Sequence, residues 1–269
     1  MKRITINTWQ MGLLFKKGVY QRMLKEGKYW VWPSERIDVY DVTKPFNAPV
    51  ELNILLQDAS LAEVLHVVEV KDNEIVLLFE NGLLKQVLTA GRYTFWKSII
   101  NYEFVRADIS KIEITENISR ATLMSKLVAH YVRTYTVENF EKALLFVDGN
   151  YVQTLQSGVY FWWRNNITIL VSKVDTRKQQ IEINGQEILT KDKAALRINA
   201  WAQYTVVNVE KALLQNKEYD RQLYVSFQLA LREYIGGLSF DELLEKKEGI
   251  VPFILQTVNS KLRSMDRKY

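Results

Sequence analysis

Apolar positions along this chain come in short runs, such as "IVLLF" from Ile75, "ALLFV" from Ala143 and "ITILV" from Ile167, separated by stretches in which apolar and polar residues alternate. Alternation with a period of two marks a strand with one buried face, and the runs are far shorter than the roughly 18 apolar residues of a membrane-crossing helix. Three of these patches fall into register: "GLLFKKGVYQRMLKEGKYWVW" from Gly12, "VLLFENGLLKQVLTAGRYTFW" from Val76 and "ALLFVDGNYVQTLQSGVYFWW" from Ala143. Their phenylalanines, Phe15, Phe79 and Phe146, are 64 and 67 residues apart. In each block two glycines keep a nine-residue gap (Gly18 to Gly27, Gly82 to Gly91, Gly149 to Gly158), followed by Tyr29, Tyr93 or Tyr160 and then Trp32, Trp96 or Trp163. Glycine supplies the positive φ of tight turns and the aromatics suit a half-buried sheet, so each block predicts a β-hairpin or meander. The likeness runs on to Asp41, Asp108 and Asp175 at the end of the following strand, giving units of about 65 residues, near the size of a small domain.

Between the units, "SLAEVLHVV" and "SRATLMSKLVAHYV" set a serine ahead of an apolar pattern, which fits one short helix or a strand per unit. His66 and His130 each open a strand leading to the next block, and Trp201 stands at what reads as the matching place later on. A site shared by histidine and tryptophan predicts a flat amphipathic ring in a sheet rather than a metal ligand. Beyond Val171, Asn184-Gly185 predicts a type I′ hairpin with "QEILT" returning. A second turn at Lys191-Asp192-Lys193 leads to a long strand with Leu196, Ile198, Ala200, Ala202, Tyr204 and Val206 on one face and Arg197, Asn199, Trp201 and Gln203 on the other. Helices follow: Asn208 caps "VEKALLQ", and Asp220 caps a helix striped by Leu223, Phe227, Ala230, Leu231 and Tyr234. Ser239 and Glu242 form a capping box, and Pro252 opens a last helix with Ile254, Leu255, Val258, Leu262 and Met265 on one side. Sheet first and helices after predicts an α+β fold, with tandem small β-rich modules ahead of a sheet-and-helix domain.

Composition narrows the chemistry. The 269 residues, 48% hydrophobic and 25% charged, are those of an ordinary globular chain with room for two or three cores. Lys plus Arg exceed Asp plus Glu by 36 to 31, which leans toward anionic partners without approaching a nucleic-acid-binding tail. The absence of cysteine excludes disulfides, thiolate metal sites and cysteine nucleophiles. The N-terminal residues hold no apolar run of signal-peptide length, so an intracellular location is the default. No phosphate loop, dinucleotide fingerprint, HExxH or GxSxG motif is present, and two histidines leave triads and zinc sites short of parts. No catalytic residue, cofactor or metal is expected. Asp241 and Glu242 stand at a helix start, where they favour the dipole, and Lys191-Asp192 reads as a polar turn. The aromatic pairs Trp30/Trp32 and Trp162/Trp163 span both faces of a strand, so one ring of each pair is expected to face outward. With Lys16, Lys17, Arg22 and Trp201 they form the candidate contact residues for a protein partner or a lipid interface.

One resemblance is specific. Val174-Asp175-Thr176-Arg177, Gln186-Glu187-Ile188-Leu189-Thr190-Lys191-Asp192, Tyr204 with Val206, Ala230-Leu231-Arg232-Glu233 and Asp241-Glu242-Leu243-Leu244 together resemble the stomatin/prohibitin-homology (SPFH, band 7) domain, in its slipin, or stomatin-like, branch. The resemblance implies residues 1–71 and 72–137 as two extra β-rich repeat modules and 138–269 as the SPFH domain, with the family's usual further strand and helical tail absent from this sequence. It implies a non-enzymatic scaffold that self-associates at the cytoplasmic face of a membrane, peripheral and without a transmembrane segment, and that organises membrane proteins or lipids. Neither nucleic acid nor a small-molecule substrate is expected. The alternative is a soluble adaptor whose tandem modules bind another protein.

Overall fold

The computed structural model describes residues 2–264. The first block folds as five strands, β1 (Lys2–Ile6), β2 (Gln10–Lys16), β3 (Val19–Leu24), β4 (Gly27–Val31) and β5 (Glu35–Asp41). They are not a simple meander: β2 pairs with both β3 and β5 in one antiparallel sheet, and β1 pairs with β4 in another. The β2–β3 hairpin closes at Lys17 and Gly18, with φ of 50° and 83°, the paired positive values of a type I′ turn. The ladder then slips between Leu14 and Phe15, a bulge that sharpens the local twist.

After two short helices, α1 (Leu52–Leu55) and α2 (Ala59–Glu63), the pattern returns in β6 (Leu65–Val70), β7 (Glu74–Glu80), β8 (Leu83–Leu88), β9 (Gly91–Trp96) and β10 (Tyr102–Asp108). After α3 (Arg120–Leu123) it returns again in β11 (Val132–Val137), β12 (Glu141–Val147), β13 (Asn150–Leu155), β14 (Gly158–Trp163) and β15 (Ile169–Asp175). All three copies keep the strand order, two positive-φ residues in the hairpin turn, and the ladder slip just before the phenylalanine. Asp41, Asp108 and Asp175 each close the last strand by accepting the backbone N–H two residues on, at 2.9 Å in every copy. The linking segments hold short helices, α2 capped by Asp58 and α3 by Ser119.

Compact packing divides the chain into residues 1–134 with 161–167, and 135–160 with 168–269. In the first unit, alternate residues of each central strand serve two cores. Leu14 faces inward with Ile6, Leu24, Val31 and Ile37, while Leu13 and Phe15 face the next copy and meet Leu65 and Trp96 there. Phe46, Leu52, Leu55 and Leu61 of the linking segment fill that joint. The joint recurs one copy later, where Ile75 and Leu77 meet Val132 and Trp163, with Leu123 and Val128 between.

In the second unit, β16 (Gln179–Leu189) pairs with β17 (Ala195–Tyr204), ahead of a π-helical turn (Lys211–Gln215), α4 (Tyr219–Gly236), α5 (Phe240–Glu245) and α6 (Ile250–Ser264). The fold is α+β. Ile183 and Ile188 pack against Leu223, Phe227, Ala230, Leu231, Ile235, Ile254 and Val258. The Asn184-Gly185 pair does not make a hairpin. Only Gly185 takes a positive φ, 63°, and the pair is a bulge within a single strand whose partner returns through Thr190–Ala194. Asn199 holds the Gly185 N–H at 2.7 Å, and Gln186 turns inward to Tyr224 and Gln228. Three further expectations shift. α4 begins at Tyr219 with Asp220 already in its first turn, so Asp220 is not the cap. On α6, Leu255 and Leu262 face outward, because the buried stripe runs through Ile254 and Val258, and Met265 lies outside the described residues. His130 sits in a 3₁₀ turn ahead of β11 while His66 lies within β6, and Trp201 belongs to β17, so the three do not share a position. The capping box of Ser239 and Glu242 and the Asn208 cap form as the sequence predicts.

Candidate docking surface

The expected contact residues separate into four groups. Trp162 and Trp163 are buried, 6% and 0% exposed, which corrects the expectation that one ring of the pair faces out. Trp162 lies at an isolated bridge to Glu113, and Trp163 is enclosed by Ile75, Leu77 and Val132. Trp201 is 63% exposed on the outer face of β17, opposite Glu182. Beside it a groove of about 460 Å³ runs between β17 and the helices, lined by Ile198, Phe227, Leu231 and Leu255. Arg22 is exposed on β3, across the ladder from Leu14.

Trp30, Trp32, Lys16 and Lys17 come together at one end of the first copy. Period-two alternation turns Tyr29 and Val31 into the core and leaves Lys28 and Trp30 on the outer face of β4. Across the ladder Arg3 pairs with Trp30, its guanidinium 5.8 Å from the indole centroid, and Lys2 pairs with Val31, one step from Trp32. The hairpin turn reaches the same end, since the Lys17 N–H donates to the Ser34 carbonyl at 2.8 Å. Lys2, Arg3, Lys16 and Lys17 are all exposed. Glu35 is the carboxylate among them, opposite Lys16 in the ladder and accepting the Trp32 N–H at 3.2 Å. Arg3 is the member that sequence reading missed, while Lys2 is exposed on the other side of β1, with Ile4 and Ile6. The signal was in the strand pattern of "KRITI", where Ile4 and Ile6 inside put Arg3 outside.

The copies differ in this face more than in their cores. Trp96 and Trp163, the equivalents of Trp32, are 1% and 0% exposed, whereas Trp32 is 61% exposed. At the place of Trp30 the second copy has Thr94, buried and donating its hydroxyl to the Phe46 carbonyl. At the places of Lys16 and Lys17 it has Glu80 and Asn81, and the third copy has Val147 and Asp148.

Away from this face, Asp58 carries a strongly perturbed carboxyl. Burial pushes its carboxyl up, but hydrogen bonds from the Ser60 and Tyr20 hydroxyls and from the Met23 and Ser60 N–H groups outweigh that and hold it down at about 2. This ties α2 to β3 and is structural. Among the described residues no three His, Cys, Asp or Glu side chains converge as metal ligands, and no helix is long and apolar enough to cross a membrane.

The model of the SPFH domain / Band 7 family matches residues 135–266. An uncharacterised protein of Methanocaldococcus jannaschii is 33% identical over 127 residues, 46% of this chain and 61% of that protein. A stomatin homolog of Pyrococcus horikoshii is 33% identical over 115 residues, 42% of this chain and 41% of the homolog. Stomatin of Mus musculus is 25% identical over 123 residues, 46% of this chain and 43% of stomatin. The chain thus spans less than two thirds of the length of these relatives. The matched segment contains the "VDTR" motif, where Asp175 holds Arg177 in a salt bridge and the guanidinium lies 3.7 Å from the Phe140 ring centroid. Residues 135–266 are thus an SPFH / Band 7 domain.

Proposed function

We propose that the chain is a slipin-type, non-enzymatic scaffold that self-associates at the cytoplasmic face of a membrane, attaches there peripherally, and organises membrane proteins or lipids. The family match over residues 135–266 carries this reading. Relatives bearing the name stomatin support the branch. In this proposal residues 1–71 and 72–137 are β-modules added ahead of an SPFH domain at 138–269. Lys16, Lys17, Trp30 and Trp32 of the first module form one contact surface, Trp201 a second and Arg22 a separate point on β3, while the buried Trp162 and Trp163 drop out. Flotation of the chain with liposomes, together with light scattering on a sizing column, tests the proposal. Co-flotation and a mass above that of one chain are expected. A strict monomer that ignores lipid would overturn the scaffold and leave the soluble adaptor as the better account.

A further inference from the structure

We infer that the outer face of β1 and β4, with the β2–β3 turn, lies flat on an anionic lipid bilayer. This rests on the membrane-associated reading above and deepens it by naming the surface and the lipid charge.

The two inner copies show what such a face does when it packs on protein. In the second copy the outward residues Leu65, Thr94 and Trp96 meet Leu13, Phe15 and Phe46 and are buried, with Val67 half-buried beside them. In the third copy Val132, Phe161 and Trp163 meet Ile75 and Leu77 in the same way. The first copy keeps the backbone of that face, pairing β1 with β4 as β6 pairs with β9, and changes its chemistry. Where the second copy has Val67, Thr94, Glu80 and Asn81, the first has Arg3, Trp30, Lys16 and Lys17. Each change runs from an uncharged or acidic residue toward an indole or a cation.

Cations beside exposed indoles disfavour two occupants and favour a third. A preceding β-module would bury Arg3, which shares the outer face with Trp30, against apolar side chains at a high desolvation cost. A second copy of the same face would set Lys16, Lys17 and Arg3 against their own kind. An anionic bilayer takes both groups at once. Indole rings settle at headgroup depth with their N–H toward water, and Lys and Arg chains reach phosphates at the same level. Glu35 sits against Lys16 and the Trp32 N–H, so it weakens the positive field at the edge without interrupting the Arg3–Trp30 centre.

The test uses the full chain and vesicles of phosphatidylcholine with or without phosphatidylglycerol, some carrying brominated acyl chains. Flotation is expected only with phosphatidylglycerol, and bromine is expected to quench part of the tryptophan fluorescence. The variant K16E/K17N carries residues that the fold already accepts at Glu80 and Asn81, so it should keep the far-UV spectrum of the parent. At about fivefold per surface charge, its binding should weaken at least about thirtyfold. The variant W30F/W32F should lose most of the bromine quenching, and W201F should not. Binding to phosphatidylglycerol vesicles that neither variant alters would overturn this face while leaving the scaffold reading intact. Failure of the parent chain to float with either vesicle would overturn both. Equal binding to neutral vesicles, or tighter binding to an oligonucleotide than to vesicles, would overturn the assignment of an anionic bilayer.

Discussion

Equivalent tryptophans in the three copies should differ in energetic weight, and the difference can be worked out from their surroundings. Trp96 is 1% exposed, with its ring 4.8 Å from Phe46 and 6.3 Å from Tyr40 between centroids. Truncating a buried aromatic ring to alanine costs roughly 3–5 kcal/mol through lost contacts and the cavity left behind. One term opposes this: the Trp96 Nε1–H is buried without an acceptor, and a stranded donor already costs about 1–3 kcal/mol, which truncation returns. The net loss for Trp96→Ala should therefore be about 3 kcal/mol. Trp96→Phe keeps most of the ring volume and removes the stranded donor, so it should cost less than about 1.5 kcal/mol. Trp32→Ala, at a side chain 61% exposed, should stay within about 0.5 kcal/mol. Urea titrations followed by far-UV circular dichroism measure all three, and calorimetry should show the transition that contains Trp96 fall by roughly 10 °C in the alanine variant alone. Equal destabilisation by Trp32→Ala and Trp96→Ala would refute the claim that the first copy's face is uncovered. A loss for Trp96→Phe as large as for Trp96→Ala would refute the claim that the indole N–H is a burden.

The remaining predictions concern the polar ties. Asp58 lies in the folded state well below its ordinary value of 3.8, at about 2, so its stabilisation is present above about pH 4 and is lost as pH falls toward 2. Asp58→Asn should cost about 1–2 kcal/mol at neutral pH and flatten the urea midpoint across that acid window; an unchanged slope would show that the Tyr20 and Ser60 contacts contribute nothing. Gln186→Ala should cost about 1–2 kcal/mol, because it removes a buried side chain that accepts from the half-buried amide of Gln228, and a double-mutant cycle with Gln228→Ala should show the two losses to be less than additive. Ser239→Ala removes the side-chain half of the α5 capping box and should cost about 1 kcal/mol by thermal unfolding, because the Glu242 backbone N–H loses its acceptor while the Glu242 carboxylate keeps the N–H of residue 239.

Much of the repeat was legible because its geometry rests on local chemistry. A glycine that must take positive φ in a hairpin turn, or an aspartate that accepts the N–H two residues on, announces itself within a few positions. Asn184-Gly185 misled because an Asn-Gly pair signals a type I′ turn only when both residues adopt positive φ. Here Gly185 alone does, and what holds the alternative is remote: Asn199 on the facing strand and Gln228 on α4 take up the groups that a turn would have freed. The tryptophans show the same limit more sharply. Trp32, Trp96 and Trp163 follow glycine and tyrosine at the same spacing, and that spacing alone does not tell them apart. Burial is decided more than eighty residues upstream, by whether a Leu13–Phe15 or Ile75–Leu77 edge arrives to cover the ring. What distinguishes the uncovered copy in the sequence is the company of the tryptophan rather than the tryptophan itself. Arg3, Lys16 and Lys17 stand where the second copy has Val67, Glu80 and Asn81, so a basic rim around an intact apolar pattern marks the copy whose tryptophan stays exposed.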